Sequence, residues 1–347
     1  MTPPDPPGSP ESVTAIDPPG ATGRSARLRH RYPFPAVPDG WFSVAASDDL
    51  AAGTVMAFDV LDRDLVAFRD QDGEAHVFDA HCPHLGAHLG VGGEVRGNTL
   101  VCPFHGWCFD GDGTLVDVPH LQRQPPRVSA SSWKVREVND RIFVWHHAQG
   151  DGPTYDPKPY RADGSPWTPW HINRYRVRVA LQDLTENIID SSHFWTVHDM
   201  TPPDDDRQVV TFDGASMTVD QHLKVTAVSA QGYEVHSVTR TEGPGIVAIE
   251  VREGELDMLT YITQTPVDDE NVDITIHFSM KALEDEAASD AIAKLNDEIT
   301  NAQFAQDVPI WENKVYRERP PLTQVDGPVT KYRRWFRQFY SGWDAPT

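Results

Sequence analysis

Two short stretches of this chain each offer one thiol and one imidazole: Cys82-Pro83-His84 and, seventeen residues later, Cys102-Pro103-Phe104-His105. Four such side chains can share one centre only if two separate loops are held face to face on a rigid support. Structural zinc also takes two cysteines and two histidines, but its motifs pair like with like, two cysteines followed by two histidines. Here the kinds alternate. Alternation suits a [2Fe–2S] centre in which one iron takes two thiolates and the other two imidazoles, the imidazoles raising the reduction potential. The flanks agree, with Leu85-Gly86-Ala87-His88-Leu89-Gly90 after the first pair and Gly106-Trp107 after the second. Glycine lets the backbone approach the sulfides, and apolar neighbours keep water away, which helps set the potential.

A centre of this Rieske type needs one domain of about 100–200 residues, and the chain has 347, so a second unit is expected. Residues 1–30 are rich in Pro, Gly, Ser and Ala, with little to bury, and are predicted to form a disordered tail. From 31 to 150, short β-prone segments such as Thr54–Val60, Leu65–Phe68, His76–Phe78 and Arg141–Trp145 are separated by turn signals, including Asp72-Gly73 and Asp112-Gly113. They predict an all-β Rieske [2Fe–2S] domain into which the two loops are set. A Pro- and Gly-rich link then opens a second unit, 151–347. There a helix is predicted from about Leu184 to Val197, strands from Val209 to about Met280, and a helix from Leu283 to about Val308, ended by Pro309. The fold class is therefore α+β, with a helix-grip second domain: a curved antiparallel sheet around a long C-terminal helix.

Composition narrows the functions. A formal net charge of −22, from 30 basic and 52 acidic residues, argues against nucleic-acid binding. Of three cysteines two are ligand candidates, leaving Cys108 alone, so no intrachain disulfide framework exists and a reducing compartment is expected. No apolar run approaches the ~20 residues of a membrane-spanning helix, and the Pro-rich beginning lacks the apolar core of a secretory signal. A cytoplasmic location is expected.

A second concentration of chemistry lies in Glu186-Asn187-Ile188-Ile189-Asp190-Ser191-Ser192-His193-Phe194-Trp195-Thr196-Val197-His198. Non-haem iron(II) oxygenases hold their metal with two histidines and one carboxylate, leaving positions open for dioxygen. His193 and His198 are candidates for the nitrogens. An ideal helix would set them roughly 140° apart, so a helix end or bulge is required for both to reach one metal. Alone, two histidines at this spacing are more often core or surface residues. A one-electron carrier upstream needs an acceptor, and this pair supplies the best one.

On these motifs the chain resembles the Rieske non-haem iron oxygenases in their oxygenase (α-subunit) form, from Tyr32 to Gly342. The resemblance implies a START-like catalytic domain, a cluster on Cys82, His84, Cys102 and His105, and a mononuclear Fe(II) on His193, His198 and Asp307. Asp307, in Gln306-Asp307-Val308-Pro309-Ile310-Trp311-Glu312-Asn313-Lys314, could not be chosen from 52 acidic residues without it. The resemblance gives Asp190 the role of bridging a cluster histidine, His84 or His105, to His193 across the subunits of a head-to-tail homotrimer; read by itself, Asp190 is a helix cap or surface residue. Asn187 or Glu186 is placed beside the iron. Cys82–Gly93, Cys102–Trp107, Asp307–Lys314, Pro320-Pro321-Leu322 and Arg333–Tyr340 are similar to the cholesterol 7-desaturase group and, more distantly, the ketosteroid 9α-hydroxylases. They imply O2-dependent hydroxylation or desaturation of a bulky lipophilic, sterol- or steroid-like or polycyclic substrate. Cys108 is a departure, since relatives often carry a longer polar residue there. The competing readings are tailoring of a non-steroid natural product or aromatic compound, by hydroxylation, demethylation or N-oxygenation, and an electron-transfer protein without chemistry of its own. The chain has no G-x-G-x-x-G or other flavin or nicotinamide motif, so electrons must come from an NAD(P)H-dependent reductase, with or without a ferredoxin. The basic, aromatic Lys331–Tyr340 is read as a docking face for that partner or as a packed helix, and Asp204–Asp206 as a solvated loop near the iron.

Overall fold

The computed structural model describes residues 31–201, 208–225 and 233–344. The expected tail, 1–30, and the acidic run Asp204–Asp206 lie outside the described residues.

The N-terminal part consists of three small antiparallel sheets. β1 (Gly40–Ala46), β10 (Arg141–His146) and β9 (Val135–Val138) form one, and β2 (Val55–Val60), β3 (Arg63–Arg69) and β4 (Ala75–Asp79) a second. The third joins β5 (Glu94–Arg96), β6 (Thr99–Val101), β7 (Cys108–Asp110) and β8 (Leu115–Asp117) in sequence order. Central strands read as unbroken apolar runs because both faces are covered: Leu65 to Phe68 and Ile142 to Trp145 are buried.

The C-terminal part is one eight-stranded antiparallel sheet. Its order is β11 (His171–Val177), β18 (Val272–Met280), β17 (Leu256–Pro266), β16 (Ile246–Glu253), β15 (Tyr233–Glu242), β14 (Ser216–Val225) and β12 (Met200–Thr201), with β13 (Val209–Asp213) also paired to β14. Alternation along β16–β18 divides the side chains. Val247, Ile262 and Ile276 stand in one cross-strand row and line a cleft under the long helix α3 (Glu286–Asn313). On the other face Ile246, Ala248, Leu259 and Tyr261 pack on Trp41, Phe143 and Trp145 of the N-terminal sheets. A second shared core joins Phe42, Leu65, Ile142 and Val144 to Val177, Ile274, Ile276 and Trp311. The two parts therefore meet through apolar packing, and the chain ahead of β1 crosses over as well: Phe34 stacks on Tyr340 at 5.4 Å, and the Asp39 carboxylate accepts from the Ser341 amide.

Two helical expectations change. The predicted Leu184–Val197 helix is two helices, α1 (Leu181–Glu186) and α2 (Ser191–Val197), joined by a single 3-10 turn at Asn187–Ile189 and a break at Asp190, whose ψ is 91°. Pro309 does not end α3. Proline lacks only its own N–H and obstructs one carbonyl four residues back, and Ala305, at that position, is exposed to water. Beyond it the helix is held from outside, because Arg31 donates to the carbonyls of Trp311 and Lys314 and Arg178 to that of Glu312. The basic, aromatic C-terminal stretch folds as α4 (Val329–Phe336) followed by one 3-10 turn. Its rings go inward, with Tyr332, Phe336, Phe339 and Tyr340 all buried. Among the described residues, no helix is long and apolar enough to cross a membrane.

Candidate metal centres

The two thiol–imidazole loops are built alike. In each, the cysteine carbonyl accepts from the glycine amide four residues on, Gly86 to Cys82 at 2.9 Å and Gly106 to Cys102 at 3.0 Å. Each cysteine amide then closes its loop on the far side, donating to Ala87 (2.9 Å) and Trp107 (2.8 Å). The turns demand glycine: φ is +73° at Gly86 and +69° at Gly106, and a methyl at Gly106 would stand 2.7 Å from Pro119 Cγ. The loops follow β4 and β6, and Leu89, Leu100 and Phe109 pack between and beneath them with both cysteines.

The result is a sorted set of donors. Cys82 and Cys102 point inward, each 3 % exposed. His84 and His105 form the outer edge with ring centroids 4.7 Å apart, His84 stacked on Trp107 at 4.1 Å. Burial, with the Cys102 thiol alongside, pushes the Cys82 thiol up to about 11. A buried thiol without positive charge beside it resists ionising, and a bound iron would supply that charge. Thiols inside and imidazoles outside fit a [2Fe–2S] group with one iron on each pair. Around the histidines the surface is apolar, with Leu85, Val91 and Phe104 exposed by 66 %, 68 % and 60 %. Cys108 is buried at the start of β7, its thiol directed to the Gly106 carbonyl at 3.4 Å; it lies behind the second loop rather than among the donors.

The second centre depends on where α2 ends. His193 lies in α2, whereas His198 is its C-cap, with φ −111° and ψ 4°, outside the helical region. That departure brings the rings to 5.2 Å between centroids. Asp307 arrives from α3, and ligand atoms of His193, His198 and Asp307 all lie within 4.8 Å of one another. His198 Nε2 is 3.2 Å from Asp307 Oδ2. The Nδ1 atoms are engaged elsewhere, His193 with the Asp190 carbonyl and His198 with Gln306 Oε1 at 2.9 Å. Since those oxygens only accept, both Nδ1 atoms carry the proton, and both Nε2 atoms, turned toward Asp307, keep a lone pair to offer a metal, the tautomers a metal requires. Burial holds His193 below its ordinary value. Burial also pulls on His198, but Asp307 and Gln306 outweigh it and leave its pKa raised. A half-buried and a buried imidazole with a buried carboxylate on one face of an open cleft fit a divalent iron with positions to spare.

The neighbours separate the two expected candidates. The Asn187 amide is 3.0 Å from His193 Nε2 and 3.3 Å from Asp307 Oδ2, so it touches two of the three. Glu186 points the other way into a bidentate pair with Arg333, at 2.6 and 2.8 Å, and takes no part. Gln306 was not singled out from the sequence; its adjacency to Asp307 on α3 was the available signal. Asp190 caps α2, its Oδ1 accepting from the Ser192 amide (3.1 Å) and hydroxyl (2.7 Å). Within one chain, among the described residues, it makes no hydrogen bond to His84 or His105.

The three groups open on a cleft of about 170 Å³, partly open to solvent, between α1, α2, α3 and the sheet. Leu184, Val247, Ile249, Ile262, Ile274, Ile276, Phe304 and Trp311 supply most of its wall. Its apolar lining with a few polar groups suits an apolar part of an organic molecule.

Comparison with known proteins gives the same division of the chain. Residues 40–138 match the Rieske [2Fe-2S] domain, and residues 144–340 match the 3-ketosteroid 9alpha-hydroxylase C-terminal domain. The chain is 30 % identical over 339 residues to cholesterol 7-desaturase nvd 1 of Ciona intestinalis, covering 88 % of this chain and 69 % of the relative. It is 31 % identical over 321 residues to a 3-ketosteroid-9-alpha-monooxygenase oxygenase component of Rhodococcus rhodochrous, covering 87 % and 83 %. In fold it resembles NdmA of Pseudomonas putida CBB5 with caffeine (TM-score 0.69, 21 % identity, 86 % and 89 % covered). Dicamba monooxygenase with bound dicamba is similar too (TM-score 0.65, 19 % identity, 87 % and 96 % covered). The chain belongs to the Rieske non-haem iron oxygenases, in the branch of the 3-ketosteroid 9α-hydroxylase oxygenase components and cholesterol 7-desaturases. It is an oxidoreductase of the monooxygenase or desaturase kind, with a Rieske [2Fe–2S] domain ahead of its catalytic domain.

Proposed function

We propose that the chain is the oxygenase component of a multi-component system that hydroxylates or desaturates one C–H position of a bulky, lipophilic, sterol- or steroid-like molecule. The observation that carries this reading is the largely aliphatic cleft ending on His193, His198 and Asp307; the names of the relatives supply the substrate class. Residues 31–150 form the electron-receiving unit, with Cys82, His84, Cys102 and His105 holding the cluster. Residues 151–347 form the catalytic unit, with His193, His198 and Asp307 holding the iron.

When bound, the cluster supplies single electrons and the iron the open positions at which dioxygen is activated. The protein's own part is positional. The Asp190 carbonyl and Gln306 orient the imidazoles, Asn187 restrains His193 and Asp307, and the aliphatic walls exclude water and press the substrate against the triad. An NAD(P)H-dependent reductase, with or without a ferredoxin, provides the electrons, in the reducing cytoplasm that three unpaired buried cysteines favour.

Asp190 serves as the bridge between centres in neighbouring chains of a head-to-tail homotrimer. The apolar collar of Leu85, Val91 and Phe104 around the cluster histidines supports this, since it is the surface a second chain would cover. The test is Asp190→Asn, because asparagine caps helices as well as aspartate does yet carries no charge. The cluster should remain reducible and the iron bound, while substrate-dependent O2 consumption falls by at least about tenfold. Turnover at the wild-type rate would refute the bridge.

A further inference from the structure

α3 sends five residues into the cleft, Thr300, Gln303, Phe304, Asp307 and Trp311. They form one helical stripe. Asp307 belongs to the triad. Gln303 sits one turn before it and Thr300 two turns, about 6 Å and 10 Å along the axis at ~1.5 Å per residue. Facing them are the aliphatic side chains of β16, β17 and β18.

In that surround the Gln303 amide and the Thr300 hydroxyl make no hydrogen bond to any described residue. A helical threonine ordinarily returns its hydroxyl to the carbonyl four residues back, and a polar group left unsatisfied when the site is desolvated costs about 1–3 kcal/mol. The other polar groups of the lining are accounted for differently. Asn187 is engaged with the triad, and Gln264, at the opposite end of β17, has its oxygen held by the Thr185 hydroxyl at 3.4 Å. Thr260 is the third group without a partner, and it lies toward Thr300: its cross-strand neighbour Phe278 packs with Ala293 of the N-terminal half of α3. Polar side chains without a partner in the protein, open to the cleft, are thus concentrated toward one end of it, the end away from the chemistry, with the Gln264 nitrogen left free at the other.

We infer that Gln303 and Thr300, closed over by Thr260, form a polar anchor that binds an oxygen function, hydroxyl or ketone, at the far end of an otherwise apolar substrate. This rests on the steroid-like reading and adds the specificity-determining residues to it. The anchor selects oxygenated skeletons over plain hydrocarbons. Because the distance from anchor to triad is fixed by the helix, it also decides which C–H bond is presented. An amide offers both a donor and an acceptor, so Gln303 accommodates either oxidation state of that oxygen.

The test is binding without turnover. The assembled protein, carrying cluster and iron and kept anaerobic without reductant, is titrated calorimetrically with a saturated steroid hydrocarbon and with its ketone and alcohol derivatives. Wild type should bind both oxygenated ligands about tenfold more tightly than the hydrocarbon, which is about 1.4 kcal/mol. In the Thr300→Val/Gln303→Leu double variant that ratio should fall to near one with hydrocarbon affinity retained. Gln303→Glu, which keeps the shape, should weaken the ketone about tenfold and spare the alcohol, which can donate to a carboxylate; it carries the test if the double variant does not fold. An unchanged ratio in the variants, or a ratio abolished by Gln264→Leu instead, overturns the anchor alone. Failure of all three ligands to bind overturns the steroid-like reading and the anchor with it.

Discussion

Asn187 is the residue whose position says most about the triad, because its amide reaches both His193 Nε2 and Asp307 Oδ2. Asn187→Ala is expected to weaken iron retention about 10- to 100-fold, the usual range for a residue that orients ligands, while the cluster's spectrum stays unchanged; equilibrium dialysis against a chelator measures it. His198 gives a pH dependence with a definite sign. Metal binding requires the neutral imidazole, and a pKa raised above the ordinary 6.5 extends proton competition to higher pH. Iron occupancy of the triad should therefore fall as pH drops through that region, measured by metal analysis after dialysis at each pH. At this scale the sequence was uneven. The cluster donors were legible from spacing alone, since the alternation of thiol and imidazole is chemically specific. Asp307 was not: it lies 109 positions beyond His198, and only family resemblance distinguished it among 52 acidic residues. Glu186 and Asn187 are neighbours in sequence, but only the folded turn at Asn187–Ile189 sends one to the metal site and the other to Arg333.

Among the elements, α3 carries most of the function and depends on distant support. Its 28 residues hold Asp307, Gln306 and the anchor groups. Its last carbonyls are capped by Arg31 and Arg178, cations at the negative end of the helix dipole. Arg31→Ala should cost about 1–2 kcal/mol, by loss of charge-assisted hydrogen bonds, and lower the melting temperature by a few degrees in calorimetry. Periodicity and composition announced the helix, but proline chemistry suggested the wrong end. Local rules lost to capping from a residue 283 positions away from Lys314. The end of α2 at His198 was anticipated more closely, because the 140° problem posed by two histidines five residues apart admitted no straight helix through both.

The whole molecule is two functional units that share apolar cores, and that boundary has its own titration. His277, buried on β18 where the sheet meets the N-terminal strands, donates through Nδ1 to the Tyr261 carbonyl and is faced by Arg141, Arg174 and Asp140. Burial, reinforced by Arg141, depresses its pKa to about 4. A base depressed in the folded state binds its proton more readily when unfolded, so stability present above pH ~6.5 is lost as pH falls toward 4, by up to about 3 kcal/mol. Chemical denaturation of His277→Gln between those values should show a shallower decline than wild type. The antiparallel sheet and the helix grip followed from the strand and helix pattern of the second half; the strand order and the apolar seam between the units did not, the seam because it uses residues that any β-protein would bury.

Metal and sulfide analysis of the purified protein, combined with low-temperature electron paramagnetic resonance, bears most directly on the two-centre assignment. About three irons and two sulfides per chain are expected. Asp307→Ala should retain two irons and the reduced-cluster signal, and Cys102→Ser should lose both sulfides while still binding mononuclear iron. Zinc in place of iron, absence of sulfide, or an Asp307→Ala protein with undiminished iron would contradict it.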